Sequence, residues 1–288
     1  MIRKALGYLI SYTRTNVVRP WIFSYKYGKV LGRNRVLKTS ELGRRCFILG
    51  TGPSISDQDI LRFRNEETFI VNNFWKHPDY RELNPKYYVV TDPTFFPSFE
   101  GEKTDTIEDM MRRNGIVSSL PTKLFYNVKG EKFIQKNKLF PNNEIYYICQ
   151  NGFFKSDLNF NVEIDKVIPE VKNVVLGALM IAGYMGFEEI YLLGCEHDFL
   201  AHPSFYEGFK HFYEEKKYDL ADKKEVAYYN LNVKSYEDVI EFYRLTFRNY
   251  RLFKEKIAKT HPNVKIYNAT PESFLDVFPF VKYEDVKI

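Results

Sequence analysis

Short, almost continuously apolar runs alternate along the chain with longer segments in which apolar residues recur at helical spacing. The short runs are typical of strands that are buried on both faces of a sheet, and they lie at 45–50, 68–72, 86–91, 123–127, 144–149, 189–194 and 263–267. The longer segments predict helices, at 171–186, at roughly 204–219 and at 235–259. Strands that alternate with helices predict an α/β fold with a doubly wound, mostly parallel sheet.

The connecting segments are predicted more loosely. The residues after the first strand predict a turn followed by a helix, over 51–63. The polar stretch 98–122 predicts a loop, and a short helix is expected after Pro271. In a doubly wound sheet ligands bind beyond the carboxyl ends of the strands, so the candidate site residues are sought directly after the predicted strands.

A glycine-rich turn, Gly50-Thr51-Gly52-Pro53-Ser54, follows the first predicted strand. Glycines allow a ligand to approach the backbone closely, and the N-terminus of a following helix favours phosphate. The turn lacks the lysine of a phosphate-binding Walker loop. It also lacks the third glycine of a dinucleotide fingerprint and contains a proline. The turn is therefore a candidate nucleotide-binding element of another kind.

Two further candidates follow the second and third predicted strands. Asn72 and Asn73 stand where a dinucleotide-binding protein has an acidic residue for the ribose. An uncharged amide suits the edge of a nucleobase or a sugar, and the alternative is a pair of turn-capping amides. Asp92 precedes Pro93 and is a candidate for a ribose or a metal, or for the start of a turn.

The densest cluster of reactive side chains follows the strand predicted at 189–194. It begins with Gly194-Cys195-Glu196-His197-Asp198 and continues with His202, Tyr206 and His211. Three of the five histidines of the chain therefore fall within 197–211. Such side chains can move protons. His197, His202 and Asp198 could instead hold a metal, but their spacing matches no standard metal motif. We take His197, Asp198, His202, Tyr206 and His211 as candidate catalytic residues and predict no metal ligands.

Composition divides the chain into a basic arm and a catalytic domain. The net charge is +5, but the first 40 residues carry no acidic residue and nine basic ones: Arg3, Lys4, Arg14, Arg19, Lys26, Lys29, Arg33, Arg35 and Lys38. The basicity is local, which argues against a nucleic-acid-binding protein. We predict an amphipathic helical arm at 1–43 and a single domain at 44–288. Residues 1–40 suit an anionic membrane surface, or they pack on the domain or in a homo-oligomer.

Three segments resemble a known enzyme family: ILGTGPSI, VNNF and GYMGFEEIYLLGCEHDF. They are similar to segments of the bacterial sialyltransferases of glycosyltransferase family 42 and of the wider group that contains the motility-associated-factor glycosyltransferases. The resemblance implies a Rossmann-like, GT-A-like variant of the fold. It implies that a CMP-sugar is held by Gly50, Gly52, Pro53 and Ser54, and by Asn72 or Asn73.

The same resemblance covers two later residues but does not include the catalytic base of the family. Only Gly177 is retained from the family's Thr-Ser-Gly, which reads Val175-Leu176-Gly177 here. Tyr206 lies near a family tyrosine that binds the leaving phosphate. The family's catalytic histidine lies in a loop before the last long helix, and this chain has no histidine between 212 and 260. The candidates for the base are therefore His197, His202 and His211.

The expected function is that of an inverting glycosyltransferase that uses a nucleotide-activated sugar, CMP-sialic acid or a related CMP-sugar. Its acceptor would be a glycan or glycolipid of a bacterial surface polymer, such as lipopolysaccharide or capsule. The expected location is the cytoplasm, peripheral on the inner face of the cell membrane. No metal is expected, because CMP leaves as a monophosphate. The alternatives are a Mg-dependent pterin-type pyrophosphokinase, with Asp92 and the acids of 196–198 as ligands, and a non-catalytic nucleotide-binding membrane adaptor.

Overall fold

The computed structural model describes residues 18–96, 106–201, 211–213 and 235–288. Its centre is a seven-stranded sheet in which every neighbouring pair of strands is parallel. The strands are β1 (Arg45–Leu49), β2 (Thr68–Val71), β3 (Tyr87–Val90), β4 (Lys123–Asn127), β5 (Ile145–Ile148), β6 (Glu189–Leu193) and β7 (Lys265–Asn268). All seven predicted strands are confirmed, each within two residues of its predicted ends.

The strand order is β5-β4-β3-β2-β1-β6-β7. The chain therefore moves outward from β1 to β5 on one side, and then returns to place β6 and β7 on the other side of β1. Such a reversal creates a crevice at the carboxyl ends of the two strands that flank it, and open α/β sheets bind ligands there. In this fold the two strands are β1 and β6. The predicted doubly wound α/β fold is confirmed.

Helices cover both faces of the sheet. In chain order they are α1 (Arg19–Leu31), α2 (Tyr80–Leu83), α3 (Ile107–Val117), α4 (Glu131–Lys136), α5 (Val174–Met185) and α6 (Tyr236–Thr260). Buried side chains of α5 and α6 pack on one face of the sheet, and those of α1 to α4 pack on the other. The helices predicted at 171–186 and 235–259 are confirmed as α5 and α6.

Alternate residues of each strand enter opposite cores, as the two-residue period of a strand requires. In β1, Cys46 and Ile48 face α5 and α6, whereas Phe47 and Leu49 face the other layer. These four side chains have no exposed surface. Because both faces are buried, the strands are continuously apolar, which is the pattern that identified them in the sequence.

Four expectations for the connecting segments are corrected by the structure. The helix expected within 51–63 is instead a pair of 3₁₀ helices, Pro53–Asp57 and Ile60–Phe63. The loop expected across 98–122 contains α3. The helix expected at 204–219 is wrong at 211–213, which are not helical, and the rest of it lies outside the described residues. Near the C-terminus the short helix is a 3₁₀ helix at Tyr283–Asp285.

The basic arm is partly helical and is joined to the domain. Helix α1 continues into a 3₁₀ helix at Gly32–Leu37. Asn34 is fully buried there, and its amide donates hydrogen bonds to the carbonyl oxygens of Tyr147 (2.9 Å) and Ile164 (2.7 Å). These bonds fix the end of the arm beside β5. No helix in the described part of the chain is long and apolar enough to cross a membrane.

Candidate functional site

The turns that follow β1 and β6 lie against each other at the crevice between these strands. The amide of Gly50 donates to the carbonyl oxygen of Leu193 (2.7 Å), and the amide of Gly52 donates to that of Gly194 (3.0 Å). A Cβ atom at Gly50 would overlap the Gly194 carbonyl group. Glycine is therefore required at position 50 by contact between two backbones, before any ligand is considered.

The carboxylate of Glu196 lies inside the glycine turn. Its Oε1 accepts a hydrogen bond from the amide of Ser54 (2.8 Å), at the first turn of the 3₁₀ helix that follows Gly52. A Cβ atom at Gly52 would overlap this carboxylate. The position where the sequence predicted a phosphate thus holds a carboxylate that the protein itself supplies. This carboxylate explains why residue 52 is a glycine.

Three buried oxygen atoms at the ends of β1, β2 and β6 have no hydrogen-bond partner within the described ranges. They are Ser54 Oγ, Asn72 Oδ1 and Glu196 Oε2. A buried polar atom without a partner is costly, by about 1–3 kcal/mol, so each of these atoms calls for a partner such as a water molecule, an ion or a ligand. The two acceptor oxygens and the hydroxyl favour a ligand that donates hydrogen bonds.

The two asparagines after β2 differ in their surroundings. Asn72 adopts a left-handed backbone conformation, with φ +46°, which asparagine tolerates better than most residues. The hydroxyl of Tyr88 donates to its carbonyl oxygen and holds this conformation. Asn73 is buried, and its Oδ1 accepts a hydrogen bond from the indole of Trp75 (3.2 Å). Of the pair, Asn72 is the residue whose side-chain oxygen has no hydrogen-bond partner among the described residues.

Asp92 and Gly177 lie farther along the same edge of the sheet. Asp92 is exposed after β3, and its carbonyl oxygen accepts a hydrogen bond from the amide of Phe95 (3.4 Å). Gly177 lies in the first turns of α5, where an added Cβ atom would come within 2.8 Å of the methyl group of Thr91. Close packing between helix and strand therefore accounts for glycine at position 177.

His197 is enclosed between β6, α5 and α6. Its ring is 6% exposed, and its backbone is left-handed, with φ +53°. Nδ1 lies 3.1 Å from the carbonyl oxygen of Cys195, which can only accept, so we assign the proton to Nδ1. Nε2 lies 3.0 Å from the hydroxyl of Tyr250, whose single proton goes either to Nε2 or to Asn173 Oδ1, which is also 3.0 Å away. Burial lowers the pKa of His197 to about 4. Both ring nitrogens therefore lie within hydrogen-bond distance of protein groups.

The segment His211–Tyr213 lies over the glycine turn on the side of β2. The amide of Phe212 donates to the carbonyl oxygen of Thr51 (3.1 Å). The ring of Phe212 meets those of Phe74 (5.5 Å between centroids) and His77 (5.1 Å) edge to face. Nδ1 of His211 lies 3.2 Å from the same carbonyl oxygen and 3.0 Å from Thr51 Oγ1. With the proton on Nδ1, the ring is oriented by the turn and Nε2 is its basic nitrogen.

Of the remaining catalytic candidates, Asp198 lies within the described residues and the other two do not. Asp198 is half-buried, and its carbonyl oxygen accepts a hydrogen bond from the amide of Ala201 (2.8 Å). His202 and Tyr206 lie outside the described residues. Among the residues that the structure describes, no three His, Cys, Asp or Glu side chains are grouped to hold a metal ion.

The structure thus brings together residues from three separate segments. His211 contacts the turn at Thr51, and Glu196 contacts it at Gly52 and Ser54. Glu196 was assigned a role only in the pyrophosphokinase alternative, as a metal ligand, and its position in the glycine turn was not foreseen. The one signal in the sequence is the pair of glycines before Pro53, which indicates a crowded backbone but not the group that crowds it.

Comparisons with known proteins add a remote likeness. No family model and no curated protein matches the chain. Among solved structures, the chain is similar to the MAf glycosyltransferase from Magnetospirillum magneticum AMB-1, with a TM-score of 0.48 and 10% sequence identity. The match covers 91% of this chain and 39% of that one. The chain therefore spans well under half the length of that protein, and a likeness this remote assigns no activity.

Proposed function

We propose that the protein is a glycosyltransferase that takes a sugar from a nucleotide-activated donor, and that the donor is a CMP-sugar such as CMP-sialic acid. The observation that carries the proposal is the set of unpartnered buried oxygens at the ends of β1, β2 and β6: Ser54 Oγ, Asn72 Oδ1 and Glu196 Oε2. Sugar hydroxyls, ribose hydroxyls and the amino group of cytosine can all donate hydrogen bonds to such atoms. The resemblance of the three sequence segments supports the choice of a CMP-sugar.

The hydrogen bonds and the negative charge inside the glycine turn favour a sugar or nucleoside over a phosphate at this position. A phosphate presents only acceptor oxygens near neutral pH and needs donors. The amides of Gly52 and Ser54 already donate to Gly194 and Glu196. The carboxylate of Glu196 would also repel a phosphate placed in the turn. The phosphate of the donor therefore lies away from this turn.

In this proposal His211 is the general base. Its Nδ1 is oriented by Thr51, and its half-buried ring lies on the turn that also holds Glu196. The acceptor hydroxyl gives its proton to Nε2 of His211, and its oxygen bonds to the anomeric carbon of the donor. The bond between that carbon and the phosphate oxygen breaks, and CMP leaves. His197 does not take this role, because both of its ring nitrogens are engaged inside the protein.

Calorimetry with CMP, UDP, GDP and ATP tests the nucleotide, each in EDTA and in Mg²⁺. We expect CMP to bind in EDTA, and Ser54→Ala to weaken it about fivefold, because one hydrogen bond is worth about 1 kcal/mol. Ser40→Ala is the matched control, since Ser40 is exposed and precedes the amino end of β1, the end opposite the crevice. Tight Mg-dependent binding of ATP, with no binding of CMP, would identify a pyrophosphokinase instead.

Release of CMP from CMP-sialic acid, in the presence of a glycan acceptor, tests the base. His211→Ala should lower the rate by about 10²–10⁴, the usual contribution of a general base. His261→Ala is the control, because His261 lies at the far end of α6 and contacts Thr260. Equal rates for the two variants would exclude His211 as the base. Binding of CMP without any turnover would favour the non-catalytic adaptor.

A further inference from the structure

Helix α1 has two apolar faces, of which the fold uses one. Phe23, Tyr27 and Leu31 lie on its inner face and pack against the core layer formed with β1 and its neighbours. Residues at this spacing share one side of a helix. An inner face of this kind is sufficient to hold the helix on the domain, so folding alone gives no reason for apolar residues on the opposite side.

The opposite side nevertheless carries three large apolar residues, Trp21, Ile22 and Tyr25, which we call the outer aromatic face. They are 72%, 47% and 87% exposed. The rings of Trp21 and Tyr25, one helical turn apart, stack with their centroids 6.5 Å apart. A single exposed apolar residue is ordinary, but a cluster that includes a tryptophan and a tyrosine marks an interaction surface.

Positive charge surrounds this face without local neutralisation. Arg19, Lys26, Lys29 and Arg33 are exposed on α1 and just after it, and within the described residues none of the four forms an ion pair. The two basic residues that come next are paired with acids of the domain, Arg35 with Asp165 and Lys38 with Glu163. The first 40 residues contain no acidic side chain.

We propose that the outer aromatic face of α1 docks the protein on an anionic lipid bilayer. Tryptophan and tyrosine favour the boundary between headgroups and acyl chains, because their rings are apolar at one end and polar at the other. The four basic residues on and beside α1 match the negative charge of the bilayer surface. The helix lies along the bilayer surface. Its inner face packs on the domain, and its outer aromatic face contacts lipid. This inference is independent of the reaction that the protein catalyses.

Co-sedimentation of the full chain with vesicles is the main test. The vesicles are phosphatidylcholine alone, or phosphatidylcholine with about 30% phosphatidylglycerol to supply the negative charge. We expect binding to the anionic vesicles only, and weaker binding at high salt because salt screens the charge. Trp21→Ala/Tyr25→Ala should lower the partition coefficient by at least about tenfold. Lys26→Glu/Lys29→Glu should do the same at low salt.

Matched controls change the same residue types elsewhere on the surface. Phe280→Ala removes an aromatic ring that is 52% exposed near the C-terminus, and Lys282→Glu reverses an exposed charge; both should bind like the wild type. Fluorescence gives a second readout, since the chain has two tryptophans and Trp75 is buried. Anionic vesicles should shift the emission of the wild type to the blue, and should leave that of Trp21→Phe unchanged.

Three results would overturn the proposal. The first is equal partitioning of the wild type and of Trp21→Ala/Tyr25→Ala, or no binding by either. The second is equal binding to neutral and anionic vesicles. The third is a dimer in analytical ultracentrifugation that dissociates in Trp21→Ala/Tyr25→Ala while neither protein binds vesicles, which would assign the face to a second copy of the chain.

Discussion

Gly52→Ala tests the interpretation that the carboxylate of Glu196 accounts for the glycine turn. The backbone at Gly52 has φ −68° and ψ 160°, which alanine adopts without strain. The added methyl group would overlap the Glu196 carboxylate, which must then move. Moving it breaks the hydrogen bond from the amide of Ser54 to Oε1, 2.8 Å long. The whole cost of the substitution therefore comes from one side chain.

The expected magnitude follows from two opposing terms. Loss of a hydrogen bond to a charged group costs about 1.5–3 kcal/mol. Replacing glycine by alanine at a compatible backbone position stabilises by about 0.4–1 kcal/mol, through the unfolded chain. Gly52→Ala should therefore lower the free energy of unfolding by about 1–2 kcal/mol. When Glu196 is already alanine, the methyl group displaces nothing, and Gly52→Ala should be neutral or stabilising by about 0.4–1 kcal/mol.

A double-mutant cycle measures this difference. Urea unfolding of the wild type, the two single variants and Gly52→Ala/Glu196→Ala is followed by circular dichroism and by tryptophan fluorescence, whose coincidence supports a two-state treatment. We expect a coupling energy of about 1.5–3 kcal/mol between the two positions. Gly115→Ala in α3 is the control, because an added Cβ there meets nothing within 4 Å. Additive effects, with coupling below about 0.5 kcal/mol, would refute the reasoning.

Two further predictions concern buried polar groups. Burial lowers the pKa of His197 from an ordinary 6.5 to about 4, so as the pH falls this histidine takes up a proton in the unfolded state before it does so in the folded state. The free energy of unfolding of the wild type should therefore fall by about 2 kcal/mol between about pH 7 and pH 5 because of this group. In His197→Asn the new residue suits the left-handed backbone. Urea unfolding at the two pH values should show a smaller loss of stability for this variant than for the wild type. An unchanged pH dependence would contradict the assignment. Asn34→Leu leaves two buried carbonyl oxygens without their donor and should lower the free energy of unfolding by about 2–5 kcal/mol. The exposed control Asn65→Leu should change it by less than about 0.5 kcal/mol.

The sheet could be predicted from the sequence because its strands are buried on both faces, and such strands appear as continuous apolar runs. The edge of the sheet that holds the candidate site followed from the same runs, since turns at the carboxyl ends of parallel strands meet. Helix α3 was missed because the segment 98–122 that contains it is largely polar. The start of α3 nevertheless has a signal in the sequence, a capping box. The side chains of Thr106 and Asp109 each accept a hydrogen bond from the other residue's backbone amide.

The details of the site could not be predicted, because they depend on contacts between distant segments. Nothing in the sequence around Glu196 indicates that its carboxylate turns into the loop after β1 and bonds Ser54. The predicted helix at 204–219 fails where Phe212 packs edge to face against the stacked rings of Phe74 and His77, which are more than a hundred positions earlier. His197 was one of three candidate bases, and its neighbours in sequence gave no sign that its ring faces Tyr250 of α6.

The central position of β1 has a consequence for synthesis on the ribosome. β1 is among the first strands to emerge, and β2 covers one of its edges soon afterwards. Its other edge pairs with β6, which is translated roughly 140 residues later, so at about 5–20 residues per second that edge stays open for roughly 7–30 s. An open apolar strand is a template for aggregation. The nascent chain should therefore depend on chaperones until β6 has left the ribosome, and expression at low temperature, with slower aggregation, should raise the yield of folded protein.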